Sequence, residues 1–321
     1  MFDRLVPFSF EDLPIKGTLV RLDESWKQVL QTRSPEDQNS LVEQILAEIF
    51  TAGALLGSSL KMEGSLLIQI LGNGPITMLL VEVFTSSENA PLGMRAIAKC
   101  RTEEIKSMSI SNTTSLIGAG TMSITLEPKQ GAQSYQSIVP VNSEQISEIF
   151  ESYMLQSEQI DTRIIINTFK DHLAGLLLQK LPEEINTSSI DDKSKNLPLE
   201  NNDPETALQK HWERIGKLVL SANLESTVDT TSSILLQRIF PEDTLRVFEE
   251  RDVSFQCTCS RKKTGDLLIT LGKDDALRLI KEEGSVRVTC EFCGILYEFD
   301  SIDTEDLFIH SSISGTSAWK N

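Results

Sequence analysis

The chain has 321 residues, of which 40% are hydrophobic and 24% are charged, as in ordinary folded proteins. This length exceeds what one small core requires, so we expect two domains. The 47 acidic residues outnumber the 30 basic ones, and the resulting net charge of −17 disfavours a nucleic-acid or anionic-membrane partner because it repels phosphate.

The first residues carry no basic stretch followed by an apolar run, so the chain begins without the pattern of a signal peptide. No run of about 18 apolar residues follows, and we therefore expect no membrane span. These observations predict a cytoplasmic, reducing location. Clustered cysteines in such a compartment are metal ligands or redox groups more often than structural disulfides.

The first half of the chain mixes helical and strand patterns. Apolar residues at helical spacing predict a helix from 35 to about 60, ended near Gly57. A hairpin is predicted next, because strand-like runs at 65–71 and 76–84 flank the turn sequence Gly72-Asn73-Gly74-Pro75. The remaining predicted elements are strands at 94–100, 120–126, 134–139 and 163–167, and a helix at 143–156. Strands joined by short turns favour antiparallel pairing, so we predict an α+β fold with a mixed α/β-sheet domain over residues 1–182.

A linker is predicted over residues 183–250. Its first part, 183–204, is mostly polar and has too little apolar surface to offset the entropy of ordering, so we expect it to be mobile. A helix follows, with an apolar stripe that must dock on another surface. This stripe consists of Leu208, Trp212, Ile215 and Val219. A shorter helix is predicted over 232–239, stopped by Pro241.

Four of the five cysteines lie in two close pairs in the predicted C-terminal domain, residues 251–321. They are Cys257-Thr258-Cys259 and Cys290-Glu291-Phe292-Cys293, and thirty residues separate the pairs. A helix is expected at 274–283. Strand-like runs at 286–290 and 294–299 flank the second pair, which predicts a ribbon hairpin with a cysteine knuckle at its tip.

Two pairs of thiolates can complete a tetrahedron of sulfur around one Zn²⁺. Zinc is favoured, although an iron–sulfur cluster has the same ligand type. A purely structural zinc is one interpretation, since the 71 residues from 251 onward are too few for a dependable core. The other is a sensor, because an oxidant that converts the thiolates to disulfides removes the ligands and the folding energy together.

The cysteine pairs and several N-terminal segments together resemble the heat-shock protein 33 family, the redox-regulated 33 kDa chaperonins. The matching segments are Cys257 to Arg261, Cys290 to Gly294, Gly72 to Pro75, Leu46 to Glu48, Leu60-Lys61, Tyr153 to Gln159 and Thr162-Arg163. The resemblance covers nearly the whole chain in the same order. The linker around 183–204 is the least similar part.

The resemblance implies an ATP-independent holdase that binds unfolding proteins under oxidative stress. It implies that Cys257, Cys259, Cys290 and Cys293 hold one zinc ion when reduced. It further implies that oxidation joins Cys257 to Cys259 and Cys290 to Cys293, releases the zinc, unfolds the linker and favours a homodimer. No chemistry on the client is required, so we expect that the protein is not an enzyme.

Two alternatives remain at this stage. A thiol–disulfide oxidoreductase would place an exposed Cys-x-x-Cys at a helix N-terminus, whereas the second pair here lies between strand-like runs. A zinc-ribbon nucleic-acid regulator would present a basic face with aromatics. Arg261, Lys262 and Lys263 do cluster, but nearby acidic residues offset them.

Overall fold

The computed structural model describes residues 3–33, 38–58, 63–87, 90–106, 112–129, 133–170, 172–182, 204–225 and 230–314. The chain forms two compact units, Met1–Phe255 and Gln256–Asn321. The predicted mobile stretch at 183–204 lies outside the described residues, except for its last position. The ends of the helix predicted over 35–60 also lie largely outside them.

The first unit contains eleven strands and seven helices among its described residues. In chain order they are β1 (Arg4–Phe10), β2 (Ile15–Leu22), α1 (Glu24–Gln31), α2 (Ser40–Gly57), β3 (Gly64–Gly72), β4 (Ile76–Thr85), β5 (Leu92–Cys100), α3 (Thr102–Lys106), α4 (Thr113–Ile117), β6 (Gly120–Pro128), β7 (Tyr135–Val141), α5 (Ile146–Ser157), β8 (Thr162–Thr168), β9 (Leu173–Lys180), α6 (Pro204–Leu220), α7 (Ser232–Ile239), β10 (Leu245–Val247) and β11 (Arg251–Phe255).

These strands form one sheet in the order β7-β6-β3-β4-β5-β11-β1-β2-β9-β8, and β10 also pairs with β1. Neighbouring strands are antiparallel except for the parallel pair β5–β11. The α+β prediction is therefore confirmed. Strand β11 starts at residue 251, where the sequence suggested that the C-terminal domain begins, yet its pairing with β5 and β1 makes it part of the large sheet.

The predicted hairpin is formed by β3 and β4, with Leu66 opposite Val83. Its turn lies against the chain before β6, where Gly74 N–H donates to the carbonyl of Ile117 at 2.8 Å. A Cβ atom on Gly72 would lie 2.2 Å from the same carbonyl oxygen, so only glycine fits there. The glycines therefore allow a close backbone approach at the turn of the hairpin.

Helix α2 packs on one face of the sheet and supplies much of the main core. It begins after Asn39, whose side chain accepts the backbone N–H of Leu41 at 3.0 Å, a regular N-cap. Within the described residues, α2 is the one helix long and apolar enough to cross a bilayer by length and composition, but 72% of that window is buried in the fold. Buried core helices pass the same test, so this is weak evidence for a membrane span.

Helices α6 and α7, which we call the strap, cover the other face of part of the sheet. The predicted stripe of α6 is buried, with Trp212 only 1% exposed, which confirms that it docks on another surface. The sheet residues that form a hydrophobic cluster with the strap are Val6, Phe8, Phe10, Ile15, Leu19, Ala174, Leu176 and Leu178. A charged residue of the sheet also meets the strap, since the guanidinium of Arg163 on β8 lies 5.7 Å from the ring centroid of Trp212. A bidentate ion pair fixes the strap to the loop that follows it, with Arg214 bonding both carboxylate oxygens of Asp243 at 3.0 and 2.5 Å.

The second unit contains three helices and a two-stranded hairpin among its described residues. They are α8 (Arg261–Leu271), α9 (Lys273–Glu283), β12 (Val286–Thr289), β13 (Leu296–Phe299) and α10 (Ser301–Ser314). Its core is small, because the buried cluster consists of Leu268, Val286 and Phe299 with a few partly buried neighbours. At about 1.5–3 kcal/mol for each buried side chain, this core is a weak source of stability for a unit of that length.

Candidate metal centre

The hairpin of β12 and β13 positions Cys290 and Cys293 in the tight turn between its strands. Cys290 N–H donates to the carbonyl of Ile295 at 2.9 Å, and Gly294 N–H donates to the carbonyl of Cys290 at 2.8 Å. Gly294 has a φ of 71°, which a residue without a Cβ adopts at little cost. The backbone amides of Phe292 and Cys293 donate to the sulfur of Cys290. This is the cysteine knuckle that the sequence predicts.

The other pair, Cys257 and Cys259, lies immediately before α8. The helix begins after Ser260, whose hydroxyl accepts the backbone N–H of Lys263 at 3.2 Å. This cap fixes the direction in which the chain leaves the cysteine pair. Local backbone geometry therefore sets the position of each pair, and the fold of the unit brings the pairs together.

The four sulfurs form one compact group. All four Sγ atoms lie within 4.8 Å of one another. Two contacts join the pairs, with 3.6 Å from Cys257 to Cys290 and 3.4 Å from Cys259 to Cys293. All five cysteines of the chain lie in its described part, and none forms a disulfide.

This spacing fits a single tetrahedral metal ion. With Zn–S bonds near 2.3 Å, the edges of a sulfur tetrahedron measure about 3.8 Å. This length is close to the two separations of 3.4 and 3.6 Å and well above the S–S bond of about 2.05 Å in a disulfide. All four cysteines are half-buried, so the sulfurs are partly shielded but within reach of small reagents. The donor set therefore suits a soft or borderline cation such as Zn²⁺.

Burial makes the sulfurs of the hairpin poor acids in the absence of a cation. It raises the pKa of Cys290 and, more strongly, the pKa of Cys293, despite backbone amides that donate to both sulfurs. A bound cation has the opposite effect because it binds the thiolate form. The two hairpin sulfurs therefore favour the thiol form unless a cation is bound.

The hydroxyl of Tyr297, on β13, donates a hydrogen bond to Cys259 Sγ at 3.1 Å. That bond is the main reason why the pKa of Tyr297 rises to about 12. The sequence reasoning missed this residue, since a single tyrosine in a strand-like run carries no signal of its own. It also missed the role of Arg261, which donates to the carbonyl of Glu298 and to Asp303 and lies 4.4 Å over the ring of Phe299.

The fifth cysteine and two of the three histidines lie in the first unit. Cys100 ends β5 and packs against the main core of the first unit. His172 is buried and stacks on Phe169, and His211 is exposed on α6. The pairing of the cysteines as disulfides in an oxidised state stays a prediction.

Comparisons with known proteins agree with one another. The family described as "Hsp33 protein" matches residues 3–300. Proteins named 33 kDa chaperonin are similar over nearly their whole length: one from Methylobacillus flagellatus is 36% identical, covering 95% of this chain and 94% of the relative. Another, from Vibrio parahaemolyticus, is 31% identical and covers 95% of each.

A solved structure has the same fold. It is the 33 kDa chaperonin, or heat shock protein 33 homolog, of Thermotoga maritima, with a TM-score of 0.74 and 22% identity, covering 97% of this chain and 99% of that one. At this identity the likeness establishes the fold alone. The family match and the relatives above 30% identity, each spanning almost the entire chain, show that this protein belongs to the Hsp33 family of chaperonins.

Proposed function

We propose that this protein is a redox-regulated, ATP-independent holdase of the cytoplasm. Membership of a chaperonin family supports a chaperone whose partners are unfolded proteins. The finer proposal is that Cys257, Cys259, Cys290 and Cys293 hold one zinc ion in the reduced state and lose it on oxidation. The observation that carries it is the single group of four sulfurs in a unit with a very small core.

The metal supplies a four-thiolate cross-link between the start of α8 and the β12–β13 hairpin. Structural zinc contributes an apparent ~10–16 kcal/mol to the folding of small domains, far more than the cluster of Leu268, Val286 and Phe299. The second unit is therefore proposed to fold only while its sulfurs remain thiolates. The same four sulfurs then both hold the second unit folded and sense the oxidant.

Oxidation by a peroxide provides the trigger. Two thiolates of one pair give up two electrons and form one S–S bond, while one peroxide molecule takes those electrons and two protons and leaves as two molecules of water. Two peroxide molecules convert all four thiolates. We propose the pairing Cys257 to Cys259 and Cys290 to Cys293, after which no thiolate ligand remains.

The strap is the proposed link to client binding. It covers a largely apolar sheet face, including Phe8, Phe10 and Leu176, which would bind unfolded chains without sequence preference once exposed. Strands β10 and β11 connect the strap to Gln256, the residue before the first cysteine pair. Loss of structure in the second unit is proposed to reach the strap along this chain segment. We also propose that the oxidised form dimerises.

The proposed activity requires no chemistry on the client, and we propose that the protein is not an enzyme. The oxidoreductase alternative loses support because Cys290-Glu291-Phe292-Cys293 lies between β12 and β13 rather than at a helix N-terminus. The net charge of −17 still argues against the nucleic-acid alternative, because it repels phosphate.

An aggregation assay tests the proposal. The zinc-loaded, reduced protein and the same protein treated with peroxide at raised temperature are each added to a thermally unfolding client, without ATP. We expect suppression of client aggregation only after oxidation, and an unchanged response in the Cys100→Ser control. Equal suppression before and after treatment would remove the redox switch, and the absence of suppression in both states would remove the holdase.

A further inference from the structure

Tyr297 links the two halves of the metal centre through its side chain. It lies on β13 opposite Val288, and its ring packs against the small core of the second unit. Its hydroxyl reaches the sulfur of Cys259, 38 residues away in the sequence, at 3.1 Å. A residue of the hairpin that carries one cysteine pair thus bonds to a sulfur of the other pair.

The sulfurs receive hydrogen bonds from different sources. Backbone amides of Phe292 and Cys293 reach Cys290, and the backbone amide of Ile295 reaches Cys293. Cys259 receives the side-chain hydroxyl of Tyr297. Backbone donors persist in any variant that keeps the turn, whereas the hydroxyl can be removed by one substitution that leaves the ring in place.

A hydrogen bond to a thiolate has two consequences. It stabilises the charge on sulfur and orients the lone pairs that remain for a metal, as partners of ligands commonly do. It also withdraws electron density from the sulfur, which makes the sulfur a weaker nucleophile toward oxidants and alkylating agents. Both effects act on the atom that accepts the bond and only weakly on its neighbours.

We propose that Tyr297 is a positioning residue for the metal centre, which holds Cys259 as a metal-bound thiolate and slows its reaction with electrophiles. The inference rests on the proposed binding of zinc by the four cysteines. It adds a residue outside the four ligands that sets how firmly the metal is held and how fast one ligand reacts.

The first test compares Tyr297→Phe with the parent in the full chain. Zinc affinity is measured by competition with a chromophoric chelator, and we expect it to fall about 10- to 100-fold, the usual cost of losing a partner of a metal ligand. The matched control is Tyr135→Phe, because Tyr135 is an exposed residue of β7 in the first unit. This control should bind zinc as the parent does.

The second test resolves the individual sulfurs. The zinc-loaded proteins are treated with limiting iodoacetamide, and mass spectrometry gives the modification rate at each cysteine. Tyr297→Phe should raise the rate at Cys259 severalfold relative to Cys290 and Cys293. Val288→Ala, which loosens packing opposite Tyr297 without touching a sulfur, should raise all rates alike.

Cobalt(II) substitution provides a readout that does not depend on stability. Loss of a hydrogen bond to a thiolate raises the energy of the sulfur lone pairs, so the sulfur-to-cobalt charge-transfer bands of Tyr297→Phe should move to longer wavelength. Unchanged bands, or alkylation that rises equally at all four cysteines, would overturn the inference. A parent chain that binds no zinc would instead overturn the proposed metal centre itself.

Discussion

Trp212 is the position at which the strap can be weakened most sharply. Its indole is 1% exposed and belongs to the cluster formed by α6, α7 and the apolar sheet face. Its Nε1 has no hydrogen-bond partner in the described part of the chain, so the docked helix already buries one unsatisfied donor. Replacement by alanine should cost about 3–5 kcal/mol, the usual range for a buried tryptophan.

Trp212→Ala destabilises the state in which the strap is docked on the sheet. A loss of about 3–5 kcal/mol changes the ratio of docked to undocked strap by roughly 100-fold to several thousand-fold. If the strap hides the client-binding face, Trp212→Ala should suppress client aggregation while still reduced and zinc-loaded. Hydrogen exchange of α6 should rise in the same sample, whereas the zinc content should not change.

Leu220→Ala is the matched control, since Leu220 lies on the same helix but is 72% exposed. It should behave as the parent chain does in both assays. The reasoning would be refuted if Trp212→Ala opened α6 to exchange but left the reduced protein without chaperone activity. In that case the face beneath the strap would not be the client-binding surface.

Three further predictions concern stability. Asp3 is buried and accepts the backbone N–H groups of Asp23, Glu24 and Ser25 at the start of α1, so Asp3→Ala should lower the free energy of unfolding by about 3 kcal/mol, measured with denaturant. Arg261→Ala removes the hydrogen bonds to Glu298 and Asp303 and the contact with the ring of Phe299. Because these groups are partly exposed, the free energy of unfolding of the zinc-loaded second unit should fall by only about 1–2 kcal/mol, measured by its thermal unfolding. Burial raises the pKa of Glu48, so the contribution of this residue to stability is present below about pH 4.5 and is lost as the pH rises through the folded-state pKa. The Glu48→Gln variant should therefore be more stable than the parent at pH 7 and about as stable at pH 4. A gain in stability of equal size at both pH values would contradict this reasoning.

Helices and strands bounded by glycine or proline residues were predictable from the sequence. The glycine-rich turn marked the β3–β4 hairpin, and the apolar spacing before Pro241 gave α7 its observed limits, Ser232–Ile239. Strand β9 was missed because Leu173 to Gln179 is buried throughout, so its residues show no alternation that would distinguish a strand. Strand β11 was missed because its partners β1 and β5 are distant in the sequence, and its five residues carry little pattern alone.

The residues of the candidate metal centre also differ in how far they could be predicted from the sequence. The spacing of the two cysteine pairs indicates a metal site, and the structure brings all four sulfurs together. Tyr297 and Arg261 act through contacts with residues 38 and 42 positions away, and no spacing rule connects them to the cysteines. The four candidate ligands could thus be identified from the sequence, while the residues that contact them required the fold.

The central claim is that loss of the metal and exposure of the face beneath the strap are one event. It is tested most directly by a single peroxide titration at raised temperature, in which zinc release is read with a chromophoric chelator and exchange of the α6 and α7 amides by mass spectrometry. The account predicts that zinc release and strap exchange rise together, with exchange elsewhere in the sheet unchanged. Complete release of zinc with α6 and α7 still protected would contradict it, as would opening of the strap while the zinc remains bound.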